Sequence, residues 1–330
     1  MLNKIKRLNP KIFDDDVEKK SIRDGFGEAL IEIAEKDERI VALSADLSES
    51  VRLVKFKEKF PERYIEVGVA EQSLATVASG LANYGKIPFI TSFAAFNPGR
   101  NWEQIRTTIA LNNVPVKIIG SHAGIDVGPD GATHQMLEDI ALARVIPNMT
   151  VLSPCDFEEA KKATFAIAQN DKPTYMRFGR SKAPIITTKE TPFEIRKADV
   201  LWESENPKVL IIATGALVYN ALVSAKELED EGIGVVVINL HAIKPLDEKI
   251  IVEYAKKIGA IVTIEDHQIA GGMGSAVAEL LARECPTRIE FLGIKDKFGQ
   301  SGESDELTKH YELDVESIKK AVVKVIKRKQ

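Results

Sequence analysis

The feature that most constrains this chain is a strand-then-helix rhythm that starts near residue 20, breaks once, and resumes. In the first run, "RIVALSADL", "RYIEVG", "KIPFITSF", "VKIIGSHA", "TVLSP" and "PTYMRFG" read as short apolar strands. Amphipathic stretches such as "SIRDGFGEALIEIAEKD", "NWEQIRTTIALNN", "MLEDIALARVI" and "DFEEAKKATFAIAQN" read as helices between them. Such alternation predicts βαβ units, a mostly parallel sheet and an α/β fold. From Arg180 to Pro207 the rhythm is lost in a polar, proline-containing stretch that reads as an interdomain connection. A second run follows, from "KVLIIATG" to "RIEFLGI", and the tail "DVESIKKAVVKVIKRK" sets Ile318, Val322 and Val325 at helical spacing. With 330 residues, two domains are expected.

Charge and composition narrow the function. A net charge of −4 offers no bulk basic field for nucleic acid. No apolar run reaches the ~20 residues of a membrane span, and the start, "MLNKIKRLNPKIFDDDVEKK", lacks the apolar core of a signal peptide. Cys155 and Cys285 stand in no metal or redox spacing, so two unpaired thiols in a reducing cytoplasm are expected.

In parallel α/β sheets ligands bind outside the carboxyl ends of the strands. Here those ends are Asp46 to Ser50, Gly68 to Glu71, Phe93 to Phe96, His122 to His134 and Arg177 to Arg180. Glu71 is the only ionised residue between Glu66 and Lys86. A carboxylate heading a helix is satisfied locally by free N–H groups and the dipole, or else it is held dry to act on a ligand nitrogen. Phe93 and Phe96 read as core or as a flat wall for a ring. Turn chemistry accounts for the glycines and Asp130 of "SHAGIDVGPDGATHQ", but not for His122 and His134. Their spacing fits no common zinc motif; proton transfer or hydrogen bonds to hydroxyls and phosphate suit them. Arg177 and Arg180 are ordinary surface residues or a phosphate fork.

"GVAEQSLATVASGLANYGKIPFITSFAAF", "GSHAGIDVGPDGATHQMLEDIALAR" and "TIEDHQIAGGMGSAVAE" together resemble the C-terminal half of transketolase, over roughly residues 20 to 325. The resemblance implies a pyrimidine-binding domain over 20–185, a linker over 186–206 and a smaller α/β C-terminal domain over 207–330. It implies that Glu71 hydrogen-bonds N1′ of the aminopyrimidine of thiamine diphosphate and favours the tautomer that deprotonates the thiazolium carbon. Phe93 and Phe96 would pack on that ring. Some relatives carry a third large side chain where this chain has Gly99, so one wall is thinner or filled from elsewhere. Asp46 would lie near the cofactor. His122 and His134 would meet the sugar and serve catalysis, Asp130 would meet the donor's C2 hydroxyl, and Arg23, Ser50 and Arg180 would grip a phosphate. Arg177 is a weaker match for such a grip. Glu265, His267, Gly271 and Gly272 would have a structural or assembly role.

A full-length transketolase also carries a diphosphate-binding domain with Gly-Asp-Gly and a later Asn around Mg2+ or Ca2+. That signature does not occur here: Pro129-Asp130-Gly131 stands in the wrong context. The expectation is one subunit of a split transketolase of pentose phosphate metabolism. It would bind no metal itself, and would form an α2β2 heterotetramer with a diphosphate-binding partner acting on phosphorylated sugars. Three alternatives stay open: the matching part of 1-deoxyxylulose-5-phosphate synthase, a 2-oxo acid dehydrogenase β subunit, and a non-catalytic scaffold subunit.

Overall fold

The computed structural model describes residues 1–329. Its strands are β1 (Lys19–Ser21), β2 (Ile40–Ser44), β3 (Tyr64–Glu66), β4 (Ile87–Phe93), β5 (Lys117–Ser121), β6 (Thr150–Leu152), β7 (Thr174–Phe178) and β8 (Lys182–Pro184), then β9 (Asp199–Glu203), β10 (Pro207–Ala213), β11 (Gly234–Asn239), β12 (Ala242–Lys244), β13 (Ala260–Gln268) and β14 (Arg288–Ile294). One sheet has the order β12-β6-β7-β5-β4-β2-β3 and the other β14-β13-β10-β11-β9. Within these two sheets every neighbouring pair is parallel except β12 with β6 and β9 with β11, and β1 and β8 form a separate antiparallel pair. The fold is therefore α/β with two mainly parallel sheets. Strands β2, β4, β5 and β7 are buried at every position, as strands covered by helices on both faces must be.

Local chemistry sets the helix ends. Asp247 caps Glu248–Ile258 through the Ile250 N–H, and Gly259, at φ 73°, closes it in the left-handed conformation. Asp156 caps Phe157–Ala168 by accepting from the Glu159 N–H at 2.8 Å. It also accepts from the backbone N–H groups of Ile186 and Thr187 and the Thr187 hydroxyl, so one buried carboxylate fastens a helix to the segment after the first sheet. Ile318, Val322 and Val325 of the Val315–Lys329 helix are buried in the second core.

The structure departs from the sequence reading in four places. The stretch "NWEQIRTTIALNN" is a short α-turn, Trp102–Gln104, running into a π-helix, Ile105–Ala110. In "MLEDIALARVI" only Asp139–Arg144 is helical, because Met136 instead bridges Ala123 and Gly124. The 180–207 stretch contains β8, paired with β1, and β9, whose Val200, Leu201 and Trp202 are buried. Strand β12, from the second half of the sequence, completes the first sheet. In return, the N-terminal segment packs on the second: Leu2 bridges Trp202, Asn3 N–H donates to Leu201 O at 2.9 Å, and Lys6 pairs with Asp199.

Between the two sheets, His241 Nδ1 lies 3.4 Å from Glu159 Oε1 and 3.8 Å from Asp199 Oδ2, all three side chains buried. Asn239 donates to Glu159 and Lys6 to Asp199, so each carboxylate already has a protein donor. Both cysteines are free. Among the described residues, no helix is long and apolar enough to cross a membrane.

Candidate active site

The side chains of interest follow adjacent parallel strands at one edge of the first sheet. Glu71, 1% exposed, opens the Glu71–Asn83 helix after β3. Its carboxylate accepts from Arg100 Nη1 at 2.6 Å and its backbone carbonyl from Asn101 Nδ2 at 3.0 Å. Asn101 Nδ2 also donates to Asn97 Oδ1, and Asn97 donates to the carbonyls of Ile90 in β4 and Ile119 in β5. Two fully buried asparagines thus fix the helix head to the sheet.

Phe93 ends β4, and its ring runs nearly parallel to that of Phe96, 12° apart with centroids at 6.1 Å. His134 meets both rings edge-on, at 6.2 and 5.6 Å. His122 stacks on Phe93 at 3.8 Å and adopts φ 57°, a left-handed conformation costly for a residue with a side chain. Its Nε2 lies 3.4 Å from Arg23 Nη1 and its Nδ1 2.8 Å from Ser121 Oγ. A guanidinium can only donate, so Nε2 is the acceptor and Nδ1–H donates to Ser121. Burial first, then the charges of Arg23 and Arg180, push the His122 pKa down to about 3, in keeping with a neutral ring.

Arg23 also donates to the carbonyls of Ser50 at 2.7 Å and Arg180 at 2.8 Å. Burial, then the charge of Arg52, lowers its pKa to about 10. Arg180 donates to Val127 O. Arg23, Arg180 and Lys182 line a cleft of about 210 Å3 with Asp126 and Ser304. The glycine-rich loop beside it forms 3-10 turns kinked at Gly128 and Gly131, both at positive φ. The second domain holds this loop through Asp266, which accepts from Ile125 N–H, Gln300, whose carbonyl accepts from Gln135, and Ser304, which donates to Asp126.

Phe93, Phe96, His122, His134, Arg23, Ser50 and Arg180 therefore share one connected set of contacts, and Glu71 joins it through Arg100, whose guanidinium carbon lies 4.6 Å from the Phe96 centroid. Asp130 is exposed on the loop, where its carbonyl accepts from Thr133. Asp46, at φ 59°, gives its N–H to Glu66, which also accepts from Gly68 N–H and Tyr64 OH. Arg177 is no surface fork: it is buried, donating to Asp139 at 2.7 Å and to the carbonyl of Asp266, and Tyr175 shares the same Asp139 oxygen. Its strand end is covered by the second domain, which the sequence does not display. Glu265 accepts from the N–H groups of Met273 and Gly274 and heads the Met273–Glu284 helix, its pKa raised to about 7 by burial. His267 Nε2 accepts from Ala141 N–H across the domain boundary. A Cβ on Gly272 would lie 2.1 Å from Glu265.

The sequence reading missed Arg100, Asn97, Asn101 and Glu66. The polar run "NPGRN" directly after an apolar strand end was the available signal.

Residues 18–185 match the family model for the transketolase pyrimidine-binding domain and residues 197–318 that for the transketolase C-terminal domain. The chain is 40% identical to a 6-deoxy-6-sulfo-D-fructose transketolase subunit of Clostridium sp. (strain MSTE9), over 96% of this chain and 98% of that one. It is 39% identical to 1-deoxy-D-xylulose-5-phosphate synthase of Caldanaerobacter subterraneus subsp. tengcongensis, over 91% of this chain but 48% of that protein. A solved structure described as a split gene transketolase, inactive beta4 tetramer, superposes with a TM-score of 0.86 at 40% identity, covering 94% of this chain and 99% of that one. With both of its domains matched in order, the chain belongs to the transketolase family, as a C-terminal section of the split type.

Proposed function

We propose that this chain is the pyrimidine-binding subunit of a split transketolase, moving a two-carbon ketol unit from a ketose, phosphorylated in this reading, to an aldose. The observation that carries the reading is a buried carboxylate, Glu71, fixed at a helix head and joined through Arg100 to the parallel rings of Phe93 and Phe96. A flat basic heterocycle fits that donor set, with apolar faces to stack on and an anion for its ring nitrogen. When bound, thiamine diphosphate supplies the electron sink for breaking the bond beside a ketone.

In this reading Glu71 holds a proton at the ring nitrogen while Phe93 and Phe96 orient the ring, with Asp46 nearby. His134 and the neutral His122 hydrogen-bond the sugar and move its hydroxyl protons. Asp130 selects the C2 hydroxyl, and Arg23, Ser50 and Arg180 hold the phosphate. A partner subunit would bring the diphosphate site with Mg2+ or Ca2+, in an α2β2 assembly within the cytoplasm. The relative described as an inactive tetramer of one chain type supports the need for a partner.

The test is a ketol-transfer assay with thiamine diphosphate and Mg2+ on this chain, a diphosphate-binding subunit, and their mixture. Activity is expected only in the mixture, and Glu71→Gln should lower it by at least ~100-fold with assembly intact. Turnover by this chain alone would overturn the split-site reading. A complex without ketol transfer would move the assignment to a synthase or dehydrogenase of the same superfamily or to a scaffold.

A further inference from the structure

Arg100 touches both surfaces that a flat ring would use in this pocket. Its Nη1 is 2.6 Å from Glu71 Oε2, and its guanidinium carbon lies 4.6 Å from the centroid of Phe96. The neighbouring glycine puts it there. A Cβ on Gly99 would lie 2.1 Å from the Ala95 carbonyl oxygen, so only glycine fits this tight turn. The turn is closed by Gly99 N–H to Ala94 O and Arg100 N–H to Phe96 O, and it directs Arg100 back over the Phe96 ring. The wall expected to be thin at Gly99 is covered by the next residue.

The ion pair is lopsided. The Arg100 side chain is 47% exposed and that of Glu71 1%. The cation can swing into water at little cost, whereas the anion is pinned with its helix by Asn101. A guanidinium stacked on an aromatic face and donating to a carboxylate is also close in shape and charge to a protonated aminopyrimidine: both are planar, delocalised cations with N–H donors at the edge. Two such groups cannot lie on one face of Phe96 together.

Resting on the thiamine reading above, we propose that Arg100 is a placeholder cation, paired with Glu71 and covering Phe96 in the cofactor-free chain and swinging aside to admit the aminopyrimidine. Arg100 would then oppose cofactor binding while keeping a buried carboxylate from standing alone.

Calorimetric titration of thiamine diphosphate into the assembled two-subunit enzyme, with Mg2+ present, tests this. Arg100→Ala is expected to bind about three- to tenfold tighter than wild type, the range for losing a half-exposed ion pair that competes with the ligand. Arg100→Lys keeps the charge without the flat fork and should fall between the two. A general weakening of the fold would not produce tighter binding. Equal or weaker binding by Arg100→Ala, with wild type binding normally, overturns the placeholder role alone. Absence of binding by wild type and variants alike overturns the thiamine reading with it.

Discussion

His122 occupies a left-handed backbone position, buried against Phe93 and facing Arg23. Its folded pKa of about 3 lies below the ordinary 6.5, so the unfolded chain binds a proton there first as pH falls. The stability that a neutral His122 allows is therefore complete above about pH 6.5 and is lost progressively below it, towards pH 3. Asparagine tolerates the same backbone conformation. His122→Asn should accordingly flatten the fall in urea stability between pH 7 and pH 5, by roughly 1–2 kcal/mol. An unchanged slope would place the proton uptake elsewhere, with His267, also held low by burial, the next group to replace. At this scale the sequence was informative where chemistry is unusual in type. A lone charge in an apolar helix singled out Glu71, and two histidines in a turn singled out His122 and His134. It was silent where an ordinary residue is made special by a neighbour. Arg100 reads as any surface arginine until the turn at Gly99 folds it onto Phe96, and Arg177 reads as one until Asp139 and the second domain bury it.

The helix from Phe157 to Ala168 shows what a single cap can hold. Asp156 receives the Glu159, Ile186 and Thr187 N–H groups and the Thr187 hydroxyl in a fully buried setting. Asp156→Ala strands these donors, and a loss of about 3–5 kcal/mol is expected in denaturant melts, well above an ordinary cap. A loss near 1 kcal/mol would mean that water reaches the donors. Long, strongly patterned elements were legible because both faces of their strands are apolar and one stripe of each helix is. Among the short ones, β3 and β6 were legible, whereas β8 and β12 were not. Three-residue strands such as β8 and β12 carry too few positions to show a period, and they exist because a neighbouring edge offers its backbone groups. The π-turn at Ile105–Ala110 likewise leaves the ordinary helical apolar spacing intact.

At the scale of the whole molecule, the two sheets belong to sequence halves only in part. The second half supplies β12 to the first sheet, and the first residues of the chain dress the β9 edge of the second. Contacts cross between them at the buried pair His241 and Glu159, at His267 with Ala141 and at Arg177 with Asp266. Scanning calorimetry of the chain should therefore show one cooperative transition; two resolved transitions would mean that the exchanged segments carry little of the stability. The sequence announced two rhythms and so two domains. It did not announce the exchange, since a strand's sheet is chosen by which edge it reaches, not by its position along the chain. A backbone cut at the exposed turn of Lys189 and Glu190 would thus yield a first piece that lacks strand β12 of its own sheet and a second piece whose β9 edge has lost the N-terminal segment. Such pieces are poor independent domains but natural complements, able to regenerate the native chain only in each other's presence.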